Sequence, residues 1–199
     1  MNPDDVLIES VLRKSRESRD AQEKFFSENA ARIVECARRL AAAFEAGGRL
    51  YVMGNGGSAC DAEHLAVEFK HPVVEKRKAL PALSLTAEGA FLTAVANDQD
   101  FSLAFVQQLR LLARAGDVAL GVSTSGKSAG VLRALRAARE MGLLTIAFSG
   151  RDGGALADGP DYCFTVPSFN IHRIQETHVA LLHVLWDMVH VARGEEDVL

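Results

Sequence analysis

The residues best suited to chemistry lie close together in the stretch GNGGSACDAEHLAVEF, residues 54–69. Its helical part carries Asp61, His64 and Glu68, which fall within a narrow sector of a helix with 3.6 residues per turn. His64 and Glu68 are neighbours four residues apart, and a histidine beside a carboxylate is a candidate acid–base pair. A solvated helix face has the same pattern, so these three residues alone leave both interpretations open.

A loop of three glycines, GNGGS at 54–58, directly precedes this helical run. Without Cβ atoms, backbone N–H groups at a helix N-terminus can closely approach a bound ligand. A tight turn required only by the fold would have the same composition. Position favours a ligand site, because the helix that carries His64 begins at this loop.

A second loop, STSGKS at 123–128, places four hydroxyl groups and one glycine before another helical run. Hydroxyl donors and free helix N–H groups together suit a phosphate monoester. Gly121, Gly126, Lys127 and Ser128 also match the Walker pattern of nucleotide-binding loops. Gly121, however, falls inside the apolar run DVALGVS, and no strand ending in aspartate offers a second magnesium ligand. We therefore expect a monophosphate site, and a serine-rich helix cap is compatible with either ligand.

Alternating apolar and amphipathic segments must position these loops. Five short apolar runs predict β-strands at 49–54, 82–85, 117–123, 143–150 and 162–167. Helical runs are predicted at 58–70, 87–112, 127–141 and 170–193, the second of them broken near Asn97-Asp98. This order predicts an α/β fold, a doubly wound parallel sheet of five strands flanked by helices. Ligands bind at the carboxyl ends of such strands, where the glycine and serine loops lie.

The first 46 residues contain no strand signal and predict an N-terminal helical extension of two helices, the first from about Asp4 to Phe26. That first helix turns almost wholly polar after Arg13, so it buries little alone and is expected to pack on a partner subunit. We expect residues 1–46 to pack against a single domain that spans residues 47–199.

The last helical run, 170–193, carries Gln175 and His183 and is too apolar for a free surface helix. We expect it to be buried against the sheet or against another subunit. A histidine in such surroundings is more often a hydrogen-bonded core residue than a ligand, so His183 alone does not indicate a site.

Composition excludes several classes of function. The chain of 199 residues has a formal net charge of −4 with scattered lysines and arginines, so no basic surface for nucleic acid is expected. Cys36, Cys60 and Cys163 are widely spaced and predict reduced thiols. The chain starts without a signal peptide and has no apolar run near the roughly 20 residues that span a bilayer, so we expect a cytoplasmic protein without membrane contact.

Four motifs in order resemble the sugar isomerase (SIS) family, and within it the phosphoheptose isomerases: GNGGSACDAEHLAVEF, AVANDQDF at 94–101, GVSTSGKS at 121–128 and RIQETHVALLH at 173–183. The resemblance implies an aldose–ketose isomerase that converts sedoheptulose 7-phosphate to D-glycero-D-manno-heptose 7-phosphate through an enediol, in the synthesis of ADP-heptose and heptose-containing glycans. It also implies a homotetramer with active sites at subunit interfaces.

The resemblance further implies a role for particular residues. Substrate contacts are expected at Asn55, Gly56, Gly57, Asn97, Asp98, Ser123, Thr124, Ser125 and Ser128. One zinc ion per site is expected on His64, Glu68, Gln175 and His183, of which Glu68 and Gln175 also touch the substrate. Isomerisation needs a base near both carbons and an acid for the carbonyl oxygen, and we expect Glu68 to be the base and His183 the acid. Zinc on such ligands could instead polarise the substrate oxygens.

The spacing of two of these residues, and two departures from the family pattern, bear on the site and the substrate that the resemblance implies. Gln175 and His183 are eight residues apart, about 12 Å along a helix, so if both bind one ion we expect them to come from different subunits. The segment 70–73, KHPV, replaces the family's Gly-Arg-aromatic sequence, and His172 stands where small or acidic residues occur. The alternatives are a non-catalytic SIS module, which would lack Glu68 or His183, and an isomerase or epimerase of another sugar phosphate.

Overall fold

The computed structural model describes residues 2–74 and 77–197. It contains one sheet of five strands in the order β2-β1-β3-β4-β5, with every neighbouring pair parallel. The strands are β1 (Leu50–Gly54), β2 (Ala82–Ser84), β3 (Val118–Ser123), β4 (Leu144–Gly150) and β5 (Tyr162–Val166). All five predicted strands and the parallel α/β fold are therefore confirmed.

Helices connect the strands and cover both faces of the sheet. They are α1 (Pro3–Glu45), α2 (Gly57–Lys70), α3 (Gly89–Asp98), α4 (Ala104–Leu112), α5 (Ala129–Glu140) and α6 (Ile171–Ala192), with 3-10 turns at Phe101–Leu103 and Gly154–Leu156. Side chains of β1 alternate between two cores: Leu50 and Val52 face α1, α2 and α6, whereas Tyr51 and Met53 face α4 and α5. The predicted break after Asn97-Asp98 is present, because α3 ends at Asp98.

The prediction of two N-terminal helices is wrong, because α1 is one continuous helix of 43 residues. No glycine or proline interrupts the chain between Asp4 and Ala46, and the amide of Asn29 donates to the carbonyl oxygen of Phe25 within the helix. The buried residues of α1 begin only at Phe25, and the apolar side chains of Val6 and Val11 are more than half exposed. Whether residues 1–46 form a unit of their own stays a prediction.

The last helix is buried as expected, and it packs within its own chain. Ile174, Leu181, Leu185 and Val189 of α6 lie in the core shared with α1, α2 and the sheet. Among the described residues, no helix is both long and apolar enough to cross a membrane.

Buried His178 of α6 is expected to make the folded state less stable in acid. Its Nε2–H donates to the carbonyl oxygen of Ser149 at 2.9 Å, and burial lowers its pKa from 6.5 to about 4. The unfolded chain therefore takes up a proton first. The stability contributed by neutral His178 is complete above pH 6.5 and is lost as the pH falls towards 4, by up to about 3 kcal/mol.

Urea denaturation at a series of pH values between 7 and 4 measures this loss. In His178→Gln, an amide replaces the titrating ring, so the free energy of unfolding should fall less steeply over the same range. A pH dependence identical to that of the unchanged protein would contradict the assignment to His178.

Candidate functional site

The glycine loop and the serine loop meet at the carboxyl edge of the sheet. They follow the adjacent strands β1 and β3, whose last paired residues are Gly54 and Val122. Asn55 in the first loop donates from Nδ2 to the hydroxyl of Ser128 in the second, at 2.9 Å. Two segments about 70 residues apart in sequence thus form one surface, as the parallel topology predicts.

The fold itself requires glycine at two positions of the first loop, apart from any role in ligand binding. Gly56 has φ 59°, a left-handed conformation that favours glycine. A Cβ on Gly57 would lie 2.1 Å from Nε2 of Gln175, so the side chain of Gln175 packs directly on the start of α2. The loop is therefore both a tight turn and the place where α6 presents a polar amide.

The serine loop leaves donors free at the start of α5. Ser128 is the N-cap residue of α5, but no side chain in the described part of the chain accepts a hydrogen bond from the first N–H groups of this helix. The hydroxyl of Ser128 pairs with Asn55 instead, and Ser125 accepts from the backbone N–H of Lys127 at 3.2 Å. Ser123 lies at the end of β3 and Thr124 follows it. Free N–H groups beside hydroxyls are the arrangement that binds phosphate.

The Walker match has a different explanation. Gly121 lies inside β3, paired with Met53 and Ala147, and not in a loop beyond the strand. A Cβ at this position would lie 2.5 Å from Cγ1 of Val131, so glycine is needed for α5 to pack on the sheet. The geometry therefore argues against a nucleotide-binding P-loop.

A cluster of three side chains lies where α2 and α6 pack together. Nε2 of His64 is 3.3 Å from Oε1 of Glu68 and 3.2 Å from Nε2 of His183. The candidate ligand atoms of the three residues all lie within 4.8 Å of one another. All three belong to the same chain. Two imidazoles and one carboxylate form a donor set that suits Zn²⁺.

The predicted fourth ligand, Gln175, lies elsewhere along the same pair of helices. Gln175 packs beside Gly57 and His183 beside His64, positions two turns apart on α2. Within a single chain, Gln175 and His183 therefore lie about two helical turns apart along the packed pair α2 and α6. The role of Gln175 as a ligand stays a prediction.

The pKa values of two groups at this site are shifted. Partial desolvation of its ring, and then the charge of His64, lower the pKa of His183, while Glu68 raises it. His183 is thus favoured as neutral imidazole, the form that binds metals and that can exchange a proton. Burial raises the pKa of Asp61 to about 6, against the opposing effect of His64. Oδ2 of Asp61 is buried without a hydrogen-bond partner.

Asn97 and Asp98 are predicted site residues that lie apart from the glycine and serine loops in the described structure. Both are exposed at the end of α3, and Nδ2 of Asn97 donates to Oδ1 of Asp98 at 2.6 Å. Within the described residues, no side-chain hydrogen bond links either of them to the glycine or serine loop. The 3-10 turn that follows packs near Gly130 in the first turn of α5, which keeps the segment near the serine loop.

Arg151 is a residue at this edge that the sequence-based predictions missed. It directly follows β4, in the sequence GRDGG, and has φ 61°. The signal that could have found it is its position after a parallel strand, among glycines, beside the serine loop.

Comparison with known proteins gives consistent matches over most of the chain. The model of the SIS domain matches residues 15–150. A phosphoheptose isomerase of Thermodesulfovibrio yellowstonii is 43% identical over 193 residues, covering 96% of this chain and 93% of that protein.

Two solved structures of phosphoheptose isomerases are similar as well. The protein from Neisseria gonorrhoeae is 38% identical with a TM-score of 0.85, and the protein from Francisella tularensis is 32% identical with a TM-score of 0.88. In both cases the match covers 92% of this chain and 98% of the other.

Proposed function

The chain belongs to the SIS domain family, and within it to the phosphoheptose isomerases, and we propose that it interconverts sedoheptulose 7-phosphate and D-glycero-D-manno-heptose 7-phosphate. The observation that carries the proposal is the cluster of His64, Glu68 and His183. The first two lie on α2, which starts at the glycine loop, and His183 lies on the neighbouring helix α6. A carboxylate and an imidazole held together supply the base and acid of an aldose–ketose isomerase. A non-catalytic SIS module has no need of this pair.

The phosphate group is assigned to the serine loop. Ser123, Thr124, Ser125 and Ser128 offer hydroxyl donors, and the first N–H groups of α5 add the partial positive charge of a helix N-terminus. Asn55, Gly56 and Gly57 of the adjacent loop then face the sugar. Binding at one end holds the reacting carbons near α2, which lowers the entropic barrier of the chemical step.

The proton transfers are assigned to Glu68 and His183. The carboxylate of Glu68 takes the proton from C1 of the ketose, which gives a cis-enediol, and returns it to C2. The imidazole of His183 donates to the oxygen on C2 and receives the proton of the hydroxyl on C1. Neutral His183 suits this exchange, because it carries one N–H donor and one acceptor nitrogen.

We further propose that one zinc ion is held by His64, Glu68 and His183 of one chain, with Gln175 of a neighbouring subunit as the fourth ligand. The two imidazoles and the carboxylate fit this metal by type and by proximity. Bound zinc supplies Lewis-acid polarisation of the substrate oxygens. Equilibrium dialysis with Zn²⁺ tests the site apart from activity.

The protein is proposed to act in the cytoplasm as a homotetramer with sites at subunit interfaces. Three free thiols, at Cys36, Cys60 and Cys163, are consistent with a reducing compartment. The exposed apolar side chains of Val6, Leu7 and Val11 on α1 support contact with another copy. No nucleic acid or membrane partner is proposed.

Incubation with sedoheptulose 7-phosphate in D₂O tests the reaction, with and without chelator and added zinc. The expected result is formation of the aldose with deuterium at C2, because the proton passes through an exchangeable group. Absence of both aldose and exchange under all of these conditions would overturn the proposed function. Deuterium exchange that occurs only with a different sugar phosphate would identify that sugar phosphate as the substrate.

Mixed oligomers are expected to show which residues act from the same chain. His183 meets Glu68 of its own chain, so mixing Glu68→Gln with His183→Ala chains should give no recovery of activity. Asp98 lies outside this cluster and is proposed to serve a neighbouring site. Mixing Glu68→Gln with Asp98→Ala chains should restore about a quarter of the sites, since each intact half has an even chance.

Activity is measured after co-refolding of the two variants in equal amounts, with each refolded variant alone as the control. Recovery in the first mixture would contradict the assignment of Glu68 and His183 to one chain. Failure of the second mixture would contradict the role of Asp98 at the interface.

A further inference from the structure

Arg151 has a positive φ angle, a backbone conformation that is strained for any residue with a side chain. Among residues 2–74 and 77–197, it is the only residue other than glycine with a positive φ, 61°. It occupies the first central position of a turn in which the N–H of Gly153 donates to the carbonyl oxygen of Gly150 at 2.9 Å. Positive φ at this position normally selects glycine. Two nearby positions with positive φ, 153 and 154, are occupied by glycine, whereas position 151 is not. The presence of arginine at this strained position therefore needs an explanation.

The turn at 150–154 packs directly on the serine loop. A Cβ on Gly150 would lie 2.5 Å from the carbonyl oxygen of Thr124, and one on Gly126 would lie 1.9 Å from that of Gly153. Arg151 directly follows Gly150 in sequence, so the backbone from which its side chain starts lies beside the contact between the turn and the serine loop.

The Arg151 side chain is partly buried without a partner. Its Nε is buried and makes no hydrogen bond, and no carboxylate among the described residues pairs with its guanidinium. The nearest acidic residue in sequence, Asp152, instead accepts a hydrogen bond from the N–H of Gly154 at 3.1 Å. This nitrogen therefore has a free N–H donor for an anionic ligand.

We propose that Arg151 is the cationic contact for the phosphate group in the serine loop and a determinant of specificity for phosphorylated sugars. This inference rests on the proposed function, which puts the phosphate of the substrate in that loop. Hydroxyls and helix N–H groups orient the phosphate, and the guanidinium matches its charge with a fork of N–H donors. The strained turn holds the base of this side chain beside the loop.

The test measures binding of inorganic phosphate by isothermal titration calorimetry, which needs no catalytic activity. Arg151→Gly relaxes the backbone, Arg151→Gln keeps the strain without the charge, and Arg151→Lys keeps the charge. The first two should bind phosphate about tenfold more weakly or worse, and the lysine variant should be intermediate. Arg136→Gln, at an exposed arginine on the outer part of α5, is the matched control and should bind as the unchanged protein does.

Steady-state kinetics add a second measurement. The glycine and glutamine variants should raise KM for the sugar phosphate by a similar factor and change kcat far less, since the reacting carbons lie at the other end of the sugar. Unchanged phosphate affinity in both variants, or equal losses in the Arg136→Gln control, would overturn the role of Arg151. Phosphate binding that depends on Arg151, in a protein without isomerase activity, would support this role and count against the proposed reaction.

Discussion

Exchanging Glu68 for glutamine is expected to slow the interconversion of the ketose and aldose phosphates by about a thousandfold in kcat. The amide has nearly the shape of the carboxylate and keeps a polar atom near Nε2 of His64, which lies 3.3 Å from Oε1 of Glu68. What is lost is the proposed base, which takes the proton from one carbon and returns it to the other. KM should change much less, because the phosphate is proposed to bind at the serine loop.

Deuterium exchange from D₂O distinguishes loss of the base from loss of binding. In Glu68→Gln, exchange at C1 and C2 should fall in parallel with turnover. Glu63→Gln is the matched control, because Glu63 is exposed on the same helix and accepts a hydrogen bond from Thr86 away from the cluster. A kcat within tenfold of the unchanged protein would refute the assignment of Glu68 as the base.

The His183→Ala variant is expected to lose both activity and zinc. Removing one of three converging donors should weaken zinc binding by more than about 100-fold, since even the hydrogen-bond partners of metal ligands contribute 10- to 100-fold. The same change removes the proposed acid for the carbonyl oxygen, so kcat should fall by at least about 100-fold.

Metal content after dialysis against limiting Zn²⁺ measures the first effect without reference to activity. His172→Ala is the control, since His172 is likewise an exposed histidine, at the start of the same helix. Near-stoichiometric zinc in His183→Ala would show that the ion, if bound, is held elsewhere. Zinc loss in both variants would show that the effect is not specific to the cluster.

The sheet and the proximity of the two loops could be predicted, because the strands follow from local sequence patterns and the proximity of the loops follows from the general geometry of parallel sheets. Uniformly apolar runs such as 117–123 indicate buried parallel strands, and the carboxyl ends of adjacent strands meet in any such sheet. His64 and Glu68 share a helix, so their proximity follows from helical periodicity alone. The family resemblance then added the third member, His183, which the described structure brings to the same place.

Other features depend on contacts that no local pattern encodes. The hydrogen bond from Asn55 to Ser128 needs both loop conformations at once. The left-handed backbone of Arg151 contradicts the usual preference of arginine and is imposed by the turn around it. The two-helix prediction for the N-terminus is wrong for a different reason: it ends the first helix near Phe26, although no residue there breaks a helix.

The long first helix would link the folding of the chain to its concentration in the proposed homotetramer. N-terminal to Phe25, none of the described residues of α1 is buried, so that half of the helix has little tertiary packing to hold it. Most of the stability of a helix in a protein comes from tertiary packing. If the chain forms the proposed homotetramer, the first half of α1 should fray back towards Phe25 at high dilution and stay helical where another copy packs on it. The helicity of this segment would then report how far the protein has assembled.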